Sequence, residues 1–251
     1  MAGISVSNLT VLFPLQKKAG GKFSGQSAPQ NLVEFGSKKY IAAIKDLSFE
    51  FEKGQRVGLI GRNGSGKSTL LRVLGGIYKP TNGQIKISGR VSSLFNLNLG
   101  VQPDATGLQN IVIRGLVKGW SYREIREKIP EIVEFSELDD FIDYPIRTYS
   151  SGMRMRLLFA IATAFSPEIL LLDEWIGAGD SAFQQKAAKR MNELVAGSGI
   201  TVIASHNRSL LENVCDMGIW LNQGVAEAIG PIKEVHSIMD AHYRQTETTI
   251  G

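Results

Sequence analysis

The spacing of apolar positions predicts strands at the start of the chain. Apolar and polar residues alternate over 4–13 and again over 43–51, which is typical of strands with one buried face. The expected buried side chains of the second segment are Ile44, Leu47, Phe49 and Phe51. Between these segments, residues 14–39 are rich in Gly, Ser, Lys and Gln, which predicts a loop or insertion.

Short apolar runs predict further strands. Residues 56–61 and 200–205 are two such runs, and a third covers 168–174. The third run is apolar until it ends in two carboxylates, a pattern typical of a strand buried on both faces. Two more short strands are expected around Gly89, and residues 217–229 read as a hairpin that turns at 222–224.

Helical spacing dominates other parts of the chain. From 106 to 144 apolar residues recur every three or four positions between charged faces, which predicts a helical insertion in an α/β chain. The remaining predicted helices cover 67–76, 151–165, 181–196 and 231–243. We therefore expect one domain over 1–243, with a helical subdomain inserted at about 104–165 and a disordered tail at 244–251.

Composition narrows the function classes. The chain has 251 residues, 43% of them hydrophobic, which is enough for a large core. Its net charge of +4 is spread along the sequence, and this favours a solvated surface over a nucleic-acid interface. A single cysteine excludes an internal disulfide and a cysteine-rich metal site and fits a reducing cytosolic compartment. The longest apolar run, 157–165, is too short to span a bilayer, and no secretory signal opens the chain.

The strongest motif follows the predicted strand at 56–61. The sequence GRNGSGKS matches G-x-x-x-x-G-K-[ST], the phosphate-binding loop, and a helix is predicted directly after it. The candidate nucleotide-binding residues are Gly61, Arg62, Asn63, Gly64, Ser65, Gly66, Lys67, Ser68 and Thr69. Glycines let backbone N–H groups turn towards phosphate oxygens, Lys67 reaches the terminal phosphates, and the Ser68 hydroxyl is a Mg²⁺ ligand.

Two further strand ends carry candidate chemistry. Asp173 ends an apolar strand, where it is placed to hold Mg²⁺, and Glu174 is placed to act as general base on a water. An acidic pair at a strand end also serves as a helix cap, but the phosphate-binding loop in the same chain favours the catalytic interpretation. His206 follows another strand, where it is either a sensor of the terminal phosphate or a plain surface residue.

The segment YSSGM, residues 149–153, allows two interpretations. Ser150 is a good N-cap for the apolar helix that follows. The same hydroxyl, the Gly152 N–H and the helix dipole also suit a phosphate held by another molecule.

In this order, the motifs resemble those of the nucleotide-binding subunit of an ATP-binding cassette (ABC) transporter, over about 4–229. The resemblance implies a P-loop NTPase fold of the ABC ATPase type: a RecA-like core, an antiparallel β subdomain and a helical insertion. It implies ATP and Mg²⁺ as ligands, Glu174 as catalytic glutamate and His206 as switch histidine. It also implies that Ser150, Ser151, Gly152 and Met153 act as the signature, in trans, on the ATP bound by a second copy. Asp180 falls at the D-loop aspartate.

The sequence departs from the family pattern at several points. The signature reads YSSGM where the common form is Leu-Ser-Gly-Gly-Gln, and Trp175 follows the acidic pair where many members have proline. The Q-loop glutamine is absent from its usual place, so Asn96 is the nearest candidate metal contact and Gln102 the alternative. Tyr40 is the candidate for stacking on adenine, with Phe35 as its rival and plain packing as an equal alternative.

Within the family the sequence is similar to the ATPases of polysaccharide exporters, through YSSGM, TGLQNI and GRNGSGKSTLLRVLGGIYKPTNGQI. This resemblance implies a homodimer at the cytoplasmic face of the inner membrane that moves two membrane subunits through the helical insertion. A lipid-linked glycan such as O-antigen, capsule or teichoic acid would then meet only those membrane subunits.

Three alternatives stay open on the sequence alone. The first is the motor of a transporter for another substrate. The second is an ABC ATPase that acts on nucleic acid, against which the single cassette and the spread of basic residues argue. The third is a regulator that binds nucleotide without hydrolysing it, against which Glu174 and His206 argue.

Overall fold

The computed structural model describes residues 2–15, 31–36, 38–95, 97–98, 100–174 and 181–250. Ten β-strands and seven α-helices lie in these ranges. The strands are β1 (Gly3–Pro14), β2 (Leu32–Phe35), β3 (Lys38–Glu52), β4 (Arg56–Ile60), β5 (Asn82–Ser88), β6 (Val91–Ser93), β7 (Ile169–Asp173), β8 (Ile200–Ala204), β9 (Met217–Asn222) and β10 (Val225–Pro231). The helices are α1 (Lys67–Leu74), α2 (Gly107–Val117), α3 (Tyr122–Ser136), α4 (Ser151–Thr163), α5 (Ser181–Gly197), α6 (Arg208–Val214) and α7 (Ile232–Ile250).

The chain divides into two compact units. The first is drawn from Met1–Gly89, Leu171–Glu174 and Gly199–Gly251, and the second from Arg90–Leu170 and Trp175–Ser198. The segment predicted as a helical insertion, about 104–165, falls within the second unit. The single-domain boundary at residue 243 stays a prediction.

An antiparallel sheet with the strand order β2-β3-β1-β5 forms part of the first unit. All four expected core residues of β3, from Ile44 to Phe51, are buried. Ile44 and Leu47 are three positions apart because β3 has one extra residue there: Leu47 pairs with Leu9 and Ile44 with Val11. Asp46, inside this bulge, has a φ of 49°. The bulge therefore keeps both apolar side chains on the core face.

The prediction of a loop over 14–39 is wrong at both described ends of this segment. Pro14 is the last residue of β1, and β2 pairs with the start of β3 through Leu32–Ile41 and Phe35–Lys38. β2 is an edge strand of only four residues, too short to show a periodic pattern in the sequence.

A second sheet of the first unit positions the candidate site. Five strands of this sheet follow the order β10-β9-β4-β8-β7, and β4 lies parallel to both β8 and β9. The predicted hairpin is confirmed, with β9 and β10 antiparallel. The segments that follow β4, β7 and β8 are those in which the sequence analysis placed the phosphate-binding loop, the acidic pair and the histidine. Ligands of open α/β sheets bind at such carboxyl ends.

The second unit is mostly helical. The predicted helices after residue 106 are present as α2 and α3, each with a capping box, at Thr106–Gln109 and Ser121–Glu124. α3 packs on α2 and α4, and α4 packs on α5. Their shared core is apolar and includes Ile111, Ile125, Ile132, Leu157 and Ile161.

The last helix runs further than the sequence pattern indicated. We predicted its end near Tyr243, whereas α7 continues to Ile250 and packs on β9 and β10. Just after α6, Cys215 is buried, and this burial, with the nearby charge of Asp216, raises the pKa of its thiol to about 12. None of the described helices has the length and hydropathy needed to cross a membrane.

Candidate nucleotide-binding site

The loop between β4 and α1 is shaped by glycines that have no room for a side chain. Gly66 caps α1 with a φ of 113°, and a Cβ there would lie 2.4 Å from the Ala43 carbonyl oxygen. At Gly61, with a φ of 147°, a Cβ would lie 2.2 Å from the Leu221 carbonyl oxygen. The loop therefore lies directly against the neighbouring strands and leaves the N-terminal amides of α1 without helical acceptors. Such amides attract anions.

Lys67 is buried and bends back over this loop. Its Nζ donates to the Gly61 carbonyl at 2.6 Å and to the Arg62 carbonyl at 3.2 Å. Burial lowers the pKa of Lys67, while the negative charges of Glu174 and Asp173 act in the opposite direction. The ammonium thus lies among acceptors that a phosphate can replace.

A buried hydroxyl in the loop gives a test of whether a phosphate fits. Ser65 is 4% exposed, and its Oγ has no hydrogen-bond partner among the described residues. A buried hydroxyl without a partner is costly in a folded protein. Ser65 also lines the cavity, so the loop places an unsatisfied polar group beside the space that its sequence predicts for a phosphate.

The acidic pair lies beside this loop. Asp173 ends β7, and Glu174 follows with a φ of 66°, unusual for a residue with a side chain. The Glu174 N–H donates to the Ala204 carbonyl at 2.8 Å, which joins the ends of β7 and β8. Ser68, Asp173 and Glu174 all line one cavity, and a hydroxyl and a carboxylate are suitable Mg²⁺ ligands.

His206 approaches Glu174 but does not hydrogen-bond to it. The two side chains are about half exposed, and His206 Nε2 lies 3.9 Å from Glu174 Oε1. The closer neighbour is Ser205, whose Oγ donates to Glu174 Oε2 at 3.2 Å.

The cavity has a volume of about 390 Å³ and belongs to the first unit. It is lined by Asn31, Ile41, Ala43, Asn63, Gly64, Ser65, Gly66, Lys67, Ser68, Thr69, Asp173, Glu174 and His206. The structure thus brings together the predicted residues from Asn63 to Thr69, the acidic pair and the histidine. Gly61 and Arg62 contribute carbonyls that hold Lys67 and are not among the lining residues.

The predicted adenine contact is not part of this lining. The residues of β3 that do line the cavity are Ile41 and Ala43, which are two positions apart and therefore on one face of the strand. Asn31 lines the cavity as well. Tyr40 is not among the lining residues, and the side chain of Phe35 lies outside the described part of the chain. The stacking role of Tyr40 stays a prediction.

The signature segment, residues 149–153, caps the α4 helix of its own chain. Ser150 is the N-cap of α4, and its Oγ accepts from the Met153 N–H at 3.2 Å. Among the described residues, a Cβ added at Gly152 would meet only the Ser150 Oγ, at 3.9 Å. Ser151 is exposed as the first residue of α4. The cap and a contact with a second molecule are therefore sterically compatible.

The remaining predicted positions lie outside the described residues or are not among the residues that line the cavity. Asn96 and Asp180 lie outside the described residues, so their roles stay predictions. Gln102 is held through its backbone: its N–H donates to Asn110 Oδ1 at 2.9 Å, and its carbonyl accepts from Asn110 Nδ2 at 3.0 Å.

Comparison with known proteins identifies the family. The family model described as ABC transporter matches residues 44–177. The O-antigen export system ATP-binding protein RfbE of Yersinia enterocolitica is 43% identical over 238 residues, which cover 90% of this chain and 96% of the relative. The chain belongs to the ABC transporter family. Its identification from the sequence as an ATP-binding, ATP-hydrolysing subunit of this family is confirmed.

A second relative and a solved structure extend this result. The teichoic acids export ATP-binding protein TagH of Listeria innocua is 40% identical over 77% of this chain, which spans only 57% of that protein. A dimeric ATP-binding cassette in a post-hydrolysis state, bound to ADP and Pi, matches 91% of this chain and 98% of its own with a TM-score of 0.66. At 22% identity this match concerns the fold alone, and it confirms the predicted ABC ATPase fold class.

Sequence reasoning missed several residues of this ABC ATPase cavity. Asn31, Ile41 and Ala43 belong to no motif, because lining a cavity requires no particular residue type or spacing. The position of Ser205 could have indicated a role, because it immediately precedes His206, the candidate histidine.

Proposed function

We propose that the chain is the ATP-hydrolysing motor of a bacterial ABC transporter that exports a lipid-linked polysaccharide. The proposal draws its substrate class from the relatives, whose names refer to O-antigen export and teichoic acids export. Its chemistry rests on one observation: Ser65, Lys67, Ser68, Asp173, Glu174 and His206 line the same cavity.

In this proposal the loop binds the phosphates of ATP. The free amides of α1, the Ser65 hydroxyl and the Lys67 ammonium surround the phosphate oxygens and stabilise the charge that develops during transfer. Lys67 exchanges its carbonyl partners on Gly61 and Arg62 for phosphate oxygens. Ile41, Ala43 and Asn31 also line the cavity, and we assign them to the nucleoside.

Ser68 and Asp173 are the residues that would hold Mg²⁺. When bound, the ion neutralises phosphate charge and orients the terminal phosphoryl group. Both side chains line the cavity, and both offer oxygen ligands.

Glu174 is the proposed general base. It takes a proton from water as the water oxygen bonds to the γ-phosphorus, and the bond to the bridging oxygen breaks to leave ADP and phosphate. His206 contacts the terminal phosphate and reports its presence. Both side chains are about half exposed, which leaves them accessible to water and nucleotide.

A second copy completes the site in this proposal. Ser150, Ser151, Gly152 and Met153 of that copy present the N-terminus of α4 to the γ-phosphate, and Asp180 lies at the dimer contact. Closure of the homodimer on ATP and its opening after hydrolysis move two membrane subunits. The second unit offers exposed apolar side chains for them, among which Val117 is 74% and Tyr122 61% exposed. The motor then works at the cytoplasmic face of the inner membrane.

The test is deletion of the gene in its own host, followed by complementation. Loss of the chain should remove the polysaccharide from the cell surface and accumulate its lipid-linked form inside. The parent gene should restore export, and Glu174→Gln, expressed to the same level, should not. Normal surface polysaccharide in the deletion strain, or full complementation by Glu174→Gln, would contradict the proposal.

A further inference from the structure

Ser205 lies between the histidine and the end of β8, and it is 4% exposed. Its hydroxyl is part of a short chain of hydrogen bonds. The Asn207 N–H donates to Ser205 Oγ at 3.1 Å, and Ser205 Oγ lies 3.2 Å from Glu174 Oε2. No motif in the sequence assigned this hydroxyl a role.

The direction of the second bond follows from chemistry. An ionised carboxylate only accepts hydrogen bonds, so the hydroxyl must donate to Glu174. The Asn207 N–H occupies an acceptor site of the same hydroxyl, which limits its rotation. Asn207 is itself fixed, because its side chain caps α6 by accepting from the Leu210 N–H at 3.0 Å.

Glu174 is thereby held at two points by one neighbouring segment. Its backbone N–H donates to Ala204, and its carboxylate accepts from Ser205, the next residue. His206, at 3.9 Å, is too far from the carboxylate to make a hydrogen bond. A glutamate side chain that is half exposed otherwise samples several rotamers.

We propose that Ser205 is a positioning residue that holds the Glu174 carboxylate in the orientation required for attack by water. This inference rests on the proposed role of Glu174 as general base. Ser205 does not contact the nucleotide in this account, and its effect is on orientation, to which reaction rates are sensitive at the scale of an ångström.

The test compares ATP hydrolysis by the full chain and its variants. Ser205→Ala should lower kcat about tenfold and leave KM for ATP within about twofold, because orientation is lost while the phosphate loop is unchanged. Ser205→Thr keeps the hydroxyl and should retain most of kcat. The matched control is Ser136→Ala, which removes another buried hydroxyl, bonded to the Val133 carbonyl outside the cavity, and should leave kcat unchanged.

A second arm separates this inference from the proposed function. In a Glu174→Ala background, Ser205→Ala should not lower the residual turnover further, because the group that it positions is absent. Full turnover by Glu174→Ala would overturn the role of Glu174 itself. Two outcomes would overturn the positioning role alone. In the first, Glu174→Ala is slow but Ser205→Ala turns over ATP as fast as the parent. In the second, Ser205→Ala lowers turnover by the same factor in the parent and in Glu174→Ala. Unchanged ATP binding by Ser205→Ala establishes that the variant is folded.

Discussion

Gly66 is under two constraints in the phosphate-binding loop. Its left-handed φ of 113° strains any residue with a Cβ, and that Cβ would also contact the Ala43 carbonyl oxygen. Gly64, in the same loop, has a φ of 81°, but a Cβ added there would meet no atom of the described part of the chain within 4 Å. The pair therefore separates backbone strain from steric contact.

We expect Gly66→Ala to lower the free energy of unfolding by about 3 kcal/mol, since strain and a backbone clash act together. Gly64→Ala should lower the free energy of unfolding by about 1 kcal/mol, because only backbone strain acts there. Urea unfolding without nucleotide measures both. Equal losses would show that the close approach to Ala43 does not constrain the loop.

The α4 helix shows how one residue serves its own element and, in our proposal, a second molecule. Ser150 Oγ already accepts from the Met153 N–H, so the cap is a property of the isolated chain. An aspartate also caps helices, but its charge opposes a phosphate.

Substitution at Ser150 should separate these two roles. Ser150→Ala should lower the free energy of unfolding by about 1 kcal/mol through loss of the cap. Ser150→Asp should keep the stability of the parent and lose ATP turnover, because the negative charge repels the γ-phosphate. Unfolding curves and steady-state hydrolysis measure the two effects. Parent-like turnover by Ser150→Asp would exclude a contact with phosphate.

The contact between α6 and α7 contains a buried histidine. His236 on α7 is 1% exposed and lies 2.8 Å from Glu212 of α6. Arg208 of α6 bonds to both Glu212 and Asp240 of α7. Burial, with help from Arg208, lowers the pKa of His236 below its usual 6.5, although Glu212 and Asp240 act in the opposite direction.

Stability should therefore depend on pH through His236. As the pH falls through 6.5, His236 is protonated in the unfolded chain before it is protonated in the folded chain. The free energy of unfolding is therefore at its full value above pH 6.5. It falls below pH 6.5 until His236 is also protonated in the folded chain. The slope contributed by one proton is at most about 1.4 kcal/mol per pH unit. Urea unfolding between pH 5 and 7.5 should show a steeper fall for the parent than for His236→Gln. Parallel curves would contradict the assignment.

Elements with a strong local pattern were predictable, and elements defined by their neighbours were not. The phosphate-binding loop follows from residue spacing, because its backbone needs glycine at fixed positions. β2 could not be predicted, since its four residues become a strand only through pairing with β3. The bond from Ser205 to Glu174 joins residues 31 apart in sequence, and no periodic pattern records such a contact.

The proposed homodimer has a direct test. Lys67→Ala and Ser150→Asp should each be inactive alone. If a site uses Lys67 of one copy and Ser150 of the other, a mixed dimer holds one intact site and one with both defects. Random exchange of equal amounts should then restore about a quarter of parent turnover. No recovery after verified exchange would mean that each site is completed within one chain.

Cys215 has a practical consequence for such measurements. It is the one cysteine of the sequence, it is buried, and its thiol has a pKa of about 12. Maleimides react with thiolates, so the native chain should remain unlabelled at neutral pH. A cysteine introduced at an exposed position such as Val117 becomes a single attachment point for a fluorophore or spin label. The motions of the motor can thus be followed without first removing any native residue.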